Sequence, residues 1–215
     1  MFPQAISEMV VYLANITSLS VDDIPIKRLS ERAKNKFERL KINAPQKAVQ
    51  TAVADLILSY AKKQFDIDSD VCENEHGKPF FADSGMCFSI THSDEIVSVS
   101  LSEYNHGIDL EKLRRVDEKT VRAVLSPFQY LDYLKADDAE KDKMFVRIFT
   151  EKESYVKYLG TGFTGKPSSI EPQDVKFLTK YLFRESDVYC LTVCTKVEEE
   201  FRFQPVNIRE IFDFG

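Results

Sequence analysis

The stretch Gly107-Ile108-Asp109-Leu110-Glu111 decides the predicted fold, because it has the pattern of one β-strand with two different faces. Side chains alternate along an extended strand, so Ile108 and Leu110 point into a core while Asp109 and Glu111 point together to the opposite side. Two carboxylates on one rigid strand are oxygen ligands of the kind that Mg²⁺ prefers. The stretch therefore predicts a strand that carries part of a metal site, and it indicates phosphate chemistry.

The composition is that of a folded protein without a membrane span. The chain has 215 residues, of which 43% are hydrophobic and 12% aromatic, enough for one large domain or two lobes of about a hundred residues each. No run approaches the roughly 18 apolar residues of a membrane span. The first residues, Met1-Phe2-Pro3-Gln4, lack the basic start and apolar run of a secretory signal. We expect a cytoplasmic protein that does not contact a membrane.

Net charge and cysteine spacing narrow the class of partner and cofactor. The net charge of −6 argues against nucleic acid, because affinity for its phosphate backbone depends on clustered Lys and Arg. Cys190 and Cys194 lie four apart on a predicted strand, and Cys72 and Cys87 have no paired spacing, so we expect reduced thiols. A zinc site from Cys72, Cys87, His76 and His92 is the weaker alternative, since these two cysteines do not form a C-x₂₋₄-C pair.

Periodicity and capping residues predict both strands and helices in the first half. A strand over Glu8 to Ile16 precedes a helix that begins after Ser30, and a longer helix follows with Pro45 in its first turn. Three short strands then have connections short enough for an antiparallel meander. They are predicted at Pro79 to Phe81, Cys87 to Thr91 and Ile96 to Leu101.

The second half repeats this order. Helices are predicted from Asp117 to Leu125, after Ser126-Pro127, and from about Asp142 to Leu159 with Gly160 as the stop, before strands at Lys176 to Phe183, Val188 to Thr195 and Phe201 to Phe203. Each half thus has a long helix followed by three strands. We expect an α+β fold of two similar lobes, residues 1–104 and 105–215, each a small, mainly antiparallel sheet packed against a long helix. A pseudo-two-fold relation between them would leave a ligand cleft at their junction.

Further charged side chains are candidates for that cleft. Glu153 lies along the edge of the apolar face of the long helix, and Lys157 follows one turn later. Such a pair is more often an exposed i,i+4 ion pair, but its place beside the core favours a site. Lys78, in the turn Gly77-Lys78-Pro79, and the strand-end residues Thr91 and His92 could bind phosphate oxygens. A plain turn and a surface histidine are the alternatives for these.

Four motifs occur in the order Gly77-Lys78-Pro79, Phe88-Ser89-Ile90-Thr91-His92-Ser93, Gly107-Ile108-Asp109-Leu110-Glu111 and Phe149-Thr150-Glu151-Lys152-Glu153-Ser154-Tyr155-Val156-Lys157. Together they resemble the 4′-phosphopantetheinyl transferases of the long, two-lobed, surfactin-synthetase-activating type. The resemblance covers roughly residues 40 to 170. Thr91 stands where that family usually has serine, and Phe149 stands where it usually has tryptophan.

The resemblance implies a monomeric enzyme that transfers the phosphopantetheine arm of coenzyme A to a serine of an apo acyl, peptidyl or aryl carrier protein. Adenosine 3′,5′-bisphosphate is the implied second product. The implied cofactor is Mg²⁺, with Mn²⁺ as a substitute, held by Asp109, Glu111 and Glu153. Glu153 and Lys157 are the implied catalytic residues, as base for the serine and as partner of the leaving phosphate. The coenzyme A contacts are implied for Lys47, Gly77, Lys78, Pro79, Thr91, His92, Lys152 and Lys157, with Lys47 as the loosest match.

A basic segment after the metal strand is the predicted docking site for the carrier protein. Carrier proteins of this class are acidic while this chain is acidic overall, so docking should depend on a local patch. A solvated helix face is the alternative. The patch consists of Lys112, Arg114, Arg115, Lys119 and Arg122.

Two other functions stay open from the sequence. A metal-dependent nuclease could also use Asp-x-Glu with a remote Glu, although Leu113 occupies the position two residues after Glu111 where many nucleases have lysine. A non-catalytic module that binds coenzyme A or a carrier protein is the second alternative. Retention of all three carboxylates and of Lys157 argues against it.

Overall fold

The computed structural model describes residues 8–198 and 200–213 and contains helices and strands in mixed order. The helices are α1 Glu31–Leu40, α2 Pro45–Gln64, α3 Glu118–Val124, α4 Pro127–Lys135, α5 Asp138–Leu159 and α6 Ile208–Asp213. The strands are β1 Met9–Asn15, β2 Val71–Glu73, β3 Pro79–Phe81, β4 Cys87–Ser93, β5 Ile96–Ser102, β6 His106–Lys112, β7 Lys176–Arg184, β8 Asp187–Thr195 and β9 Phe201–Val206. The predicted α+β class is confirmed.

Helix ends follow the capping residues of the sequence. The Ser30 hydroxyl accepts the N–H of Ala33 at 3.2 Å and donates to Asp55 at 2.6 Å, so one side chain caps α1 and ties it to α2. Pro45 is the first residue of α2, and Gly160 ends α5 in the left-handed region with φ +73°. Helix α5 begins at Asp138, one turn earlier than predicted, and acidic residues suit that N-terminal turn.

The helices and sheets form four layers, with three hydrophobic core clusters among the described residues. The first sheet has the strand order β4-β5-β1-β9, and the second has β6-β8-β7. Alternation along β1 joins the layers: Val10 and Tyr12 pack with the helices α1 and α2, while Met9 and Val11 pack with the second sheet. The far side of the second sheet is covered by α5, whose contacts to β6 and β8 position the site described below.

The predicted antiparallel meander in the first half is wrong. Strands β4 and β5 do pair antiparallel, but β3 pairs with β2, in a two-stranded hairpin outside both larger sheets. Strand β2 has only three residues, Val71–Glu73, which is too short to produce a recognisable alternation. The turn at Gly77 and Lys78 therefore belongs to a hairpin that is separate from both larger sheets.

The predicted division at residue 104 does not match the sheets. Strand β9, from the second half, pairs parallel with β1 inside the first sheet, with Met9 opposite Phe201. The two sheets also differ in strand number, and the predicted pseudo-two-fold relation is not confirmed. All four cysteines are free thiols. Among the described helices, none is long and apolar enough to cross a membrane.

Candidate functional site

Strand β6 has the two faces that its sequence predicts. Ile108 and Leu110 are fully buried in the core between the sheets, while Asp109 and Glu111 lie on the opposite side, toward α5. Gly107 lies on that same side, and a Cβ atom there would be 2.1 Å from the Ser154 carbonyl oxygen. Glycine at this position therefore permits the close contact that brings the side chains of α5 to the carboxylates of β6.

Lys157 connects α5 to β6. Its ammonium donates to Asp109 Oδ1 at 2.7 Å, and the Asp109 side chain is 6% exposed. The alternative for Lys157 was an exposed ion pair with Glu153 along the helix. Its ion pair in the structure is with Asp109 instead. A largely buried ion pair between two elements constrains their separation more than a surface pair on one helix does.

A cavity of about 280 Å³ lies between the hairpin, β4 and α5. It brings together side chains that are far apart in sequence: Lys78 from the hairpin turn, and Glu153 and Lys157 from the helix. Burial lowers the pKa of Lys78, with the neighbouring Cys87 opposing the shift. The wall is otherwise largely apolar. Its other residues are His76, Gly77, Pro79, Phe88, Ser89, Ile90, Val156, Gly160, Gly162 and Phe163.

The three carboxylates repel one another in this arrangement. Burial first, and then the charge of Asp109, raises the pKa of both Glu111 and Glu153 to about 7. Burial also raises the pKa of Asp109, although the charge of Lys157 opposes that change. The charge of Lys157 offsets part of this repulsion at all three carboxylates, and the charge of Arg114 does so at Glu111.

Hydroxyl groups of β4 hold the carboxylate strand in place. Ser89, Thr91 and Ser93 alternate along β4, and each accepts a backbone N–H of β6 at 3.0 to 3.1 Å. Thr91 then donates to Asp109 Oδ1 at 3.0 Å, and Ser93 donates to Glu111 Oε2 at 2.9 Å. Because a hydroxyl has one proton, these bonds place an accepting oxygen of each carboxylate against β4.

The residues fit a divalent cation in the chemistry of their ligand atoms. Asp109 Oδ2 is buried and has no hydrogen-bond partner among the described residues, which leaves one strong acceptor unsatisfied. Carboxylate oxygens are the ligands that hard cations prefer. As they stand, however, no three His, Cys, Asp or Glu side chains within residues 8–198 and 200–213 are grouped closely enough for a metal site.

The side chains of Thr91 and His92 lie on opposite sides of β4. Thr91 is buried against Asp109, so its hydroxyl serves the carboxylate and not the cavity. His92 lies on the exposed side of β4. Partial burial of its ring, together with the charges of Lys157, Lys36 and Lys47, lowers its pKa. The exposed Lys47 is therefore near His92, and Lys36 is a further cation there.

The expected contact of Lys152 with coenzyme A needs correction. Its side chain is 1% exposed, and its ammonium donates to the carbonyl oxygens of Val124 at 2.8 Å and Pro167 at 3.0 Å. Successive residues on a helix point about 100° apart, so Lys152 faces away from the cavity that Glu153 lines. Lys152 joins α5 to the last residue of α3 and to the loop after α5.

Two residues of the site were not found from the sequence. Ser93 binds Glu111, and its only signal is its place in the alternation of hydroxyl residues along β4. Asn74 binds the turn that contains Lys78, and an Asn three residues before Gly77 was available as a turn signal. Its long-range contact with Gly160 has no local signal.

The family model of the 4′-phosphopantetheinyl transferase superfamily matches residues 105–205. Residues 105–205 are similar to that superfamily, and they make up slightly less than half of the 215-residue chain. The match includes the carboxylate strand β6 and the helix α5, two of the four motifs that carry the resemblance. It covers the second sheet and the helices around it, together with β9.

Parts of the chain are similar in sequence to proteins named as 4′-phosphopantetheinyl transferases. The protein gsp of Aneurinibacillus migulanus is 34% identical over 90 residues, 42% of this chain and 38% of that protein. Sfp of Bacillus subtilis (strain 168) is 30% identical over 122 residues, 54% of each. A Bacillus subtilis transferase is 24% identical over 159 residues, 72% of this chain and 70% of that protein. The chain thus spans about half or less of the length of the first two relatives.

A solved structure gives a weaker likeness. The crystal structure of Thermotoga maritima holo-[acyl-carrier-protein] synthase covers 44% of this chain and 64% of its own chain, at 22% identity and a TM-score of 0.30. A likeness at this level carries no argument about the fold or the site.

Proposed function

We propose that this protein transfers the 4′-phosphopantetheine group of coenzyme A to a serine hydroxyl of an apo acyl, peptidyl or aryl carrier protein. The second product is adenosine 3′,5′-bisphosphate. The observation that carries the proposal is the cavity in which Lys78, Glu153 and Lys157 converge beside Asp109. Two cations next to a group of carboxylates suit a substrate with a pyrophosphate and a reaction in which phosphate charge builds up.

The reaction exchanges one phosphorus–oxygen bond for another. The carrier serine oxygen bonds to the phosphorus that bears pantetheine, and the bond from this phosphorus to the bridging oxygen breaks. The bridging oxygen leaves as part of the 5′-phosphate of adenosine 3′,5′-bisphosphate. Glu153, which lines the cavity, accepts the serine proton. Lys157 and Lys78 bind the phosphates as point charges, and His92 with Lys47 provides the contact for the 3′-phosphate.

Asp109, Glu111 and Glu153 are the residues that would hold Mg²⁺, or Mn²⁺ in its place. When bound, the ion offsets charge on the transferred and leaving oxygens. In the chain itself, Thr91 and Ser93 each fix one oxygen of a carboxylate, and the unsatisfied Oδ2 of Asp109 is the acceptor left for a cation. Lys157 neutralises Asp109 until substrate phosphates compete for its ammonium.

Arg115 and Lys119 are the best candidates for docking an acidic carrier protein. Both are exposed, whereas the other three residues of the basic patch are in ion pairs inside this chain. Those pairs join Lys112 to Asp187 at 2.7 Å, Arg114 to Asp94 at 3.8 Å and Arg122 to Glu118 at 2.7 Å. Surface pairs are weak, so the patch still adds to electrostatic attraction, with Arg115 and Lys119 contributing most.

Mass spectrometry of a carrier protein tests the proposed transfer. The protein is incubated with coenzyme A, Mg²⁺ and a panel of apo carriers, and we expect one carrier to gain a single phosphopantetheine. Glu153→Gln should abolish this gain, because the amide neither accepts the serine proton nor carries charge. Glu151→Gln is the matched control: it lies on the same helix, pairs with Arg147 at 2.9 Å and is outside the cavity wall.

Each other outcome favours a different function. Coenzyme A binding without mass gain on any carrier would favour a non-catalytic module. Absence of coenzyme A binding, together with Mg²⁺-dependent cleavage of DNA or RNA, would favour the nuclease. Equal loss in Glu153→Gln and Glu151→Gln would mean that the cavity does not contain the reacting group.

A further inference from the structure

The turn that carries Lys78 is organised around one side chain, Asn74. Its Oδ1 atom accepts the backbone N–H of His76 at 3.0 Å and that of Lys78 at 2.9 Å. The backbone closes the same turn, because Gly77 N–H donates to the Asn74 carbonyl at 2.9 Å and Gly77 has φ +80°. Asn74 thus fixes the direction in which the chain leaves the turn, and with it the start of the Lys78 side chain.

The other end of the Asn74 amide binds the opposite half of the molecule. Its Nδ2 atom donates to the Gly160 carbonyl at 2.7 Å, across 86 residues of sequence. Since Oδ1 accepts two N–H groups, the orientation of the amide is fixed by its partners. Gly160 ends α5, the helix that carries Glu153 and Lys157.

Gly160 and Lys78 are also in direct packing contact. A Cβ atom on Gly160 would lie 3.1 Å from Asn74 Nδ2 and 3.2 Å from Lys78 Cδ, so the hairpin turn sits directly on the end of the helix. The hairpin β2–β3 belongs to neither larger sheet, and its pairing consists of three residues on each side. A short separate hairpin has little stability of its own, so its placement depends on contacts of this kind.

We propose that Asn74 is a positioning residue that latches the hairpin turn to the end of α5 and so fixes Lys78 in the cavity opposite Glu153 and Lys157. This inference rests on the proposed function, in which Lys78 binds phosphates of coenzyme A. The latch sets the distance between Lys78 and Lys157, two cations that come from different halves of the chain. It therefore affects binding of the substrate that both cations contact, and leaves proton transfer at Glu153 unchanged.

Two substitutions separate the latch from the turn. Asn74→Asp keeps an oxygen for the N–H groups of His76 and Lys78 and loses the donor to Gly160. Asn74→Ser keeps a shorter acceptor, adds no charge and is too short for Gly160. The matched control is Asn105→Asp, because Asn105 Nδ2 donates to the Tyr158 carbonyl at 3.2 Å, near the same helix end, and its side chain has no hydrogen bond to the hairpin among the described residues.

We expect both Asn74 variants to raise the Kd and KM for coenzyme A about tenfold, the effect of one misplaced charge-assisted contact. Turnover number should change by less than about twofold, and the KM for carrier protein should stay constant, which is a pattern that general destabilisation does not produce. Without coenzyme A, amide exchange at His76, Gly77 and Lys78 should accelerate in Asn74→Ser. Asn105→Asp should match the wild type in all of these measurements.

Three results would overturn the latch. Equal coenzyme A affinity in wild type and both Asn74 variants would contradict the proposal, as would unchanged amide exchange at His76, Gly77 and Lys78. Weakening in Asn74→Asp alone would assign the effect to the added charge. Failure of the wild type to bind coenzyme A would instead overturn the proposed function, and the exchange measurement would still decide whether Asn74 holds the hairpin.

Discussion

Gly107→Ala tests whether close contact between β6 and α5 sets the geometry of the site. The new Cβ atom would be 2.1 Å from the Ser154 carbonyl oxygen and 2.4 Å from the Tyr158 nitrogen. Ordinary contact begins near 3.4 Å, so the strand and helix would have to separate by about 1.3 Å. Both colliding atoms belong to the backbone, and a side-chain rotation cannot relieve the overlap. Overpacking of this kind costs about 1–3 kcal/mol.

The same displacement reaches the side chains that we propose to be catalytic, since Glu153 and Lys157 are each next in sequence to a residue that collides. A 1 Å misplacement costs on the order of 100-fold in rate, so we expect the free energy of unfolding and the transfer rate to fall together. Denaturant unfolding and the carrier mass assay measure the two effects. Gly85→Ala is the control, because a Cβ atom there meets no atom within 4 Å. If Gly107→Ala matched Gly85→Ala in both assays, the contact would not govern the site.

Three further predictions concern buried polar groups. Asp109→Asn should abolish transfer yet change the free energy of unfolding by less than about 1 kcal/mol, because the lost ion pair with Lys157 is offset by the lost repulsion of Glu111 and Glu153. Denaturant midpoints and carrier mass decide it, and a loss above about 2 kcal/mol would contradict it. Lys152→Met should cost about 2 kcal/mol, by leaving two carbonyls without a donor, and should leave the KM for coenzyme A unchanged; a raised KM would restore Lys152 to the site. Burial lowers the pKa of His106 from 6.5 to about 4, so the unfolded chain binds the extra proton first, and stability should fall by about 2 kcal/mol from pH 7 to pH 5. Melts of His106→Asn over that range should have a smaller slope, and equal slopes would refute the assignment.

The elements of the fold were largely predictable because their signals are local. Alternation in the stretch 107–111 identifies β6, since both its faces are specified, one by apolar residues and the other by carboxylates. Ser30, Pro45 and Gly160 mark helix ends through capping chemistry that depends on a few neighbouring residues. The pairing of strands is a different matter, because β3 has three residues and nothing in them distinguishes β2 from β4 as a partner.

The site was predictable where position along one element decides it, and not where contacts across elements do. Asp109 and Glu111 follow from strand alternation, whereas the partner of Lys157 depends on how closely Gly107 lets α5 approach. Lys152 illustrates this limit. A lysine in a charged helix motif is expected to face solvent, but two carbonyl acceptors from distant segments make its burial favourable. The same limit applies to Asn74.

The parallel pairing of β9 with β1 has a consequence for how the chain folds during synthesis. Met9 is opposite Phe201, and Val10 is opposite Arg202. One edge of β1 therefore stays unpaired until β9 has been synthesised and has left the ribosome. The other edge of β1 can pair with β5 before that. Until then the core between the sheets lacks Phe201. Contacts of such long sequence separation fold slowly, so we expect the exposed edge of β1 to be the point at which a nascent chain needs protection from aggregation.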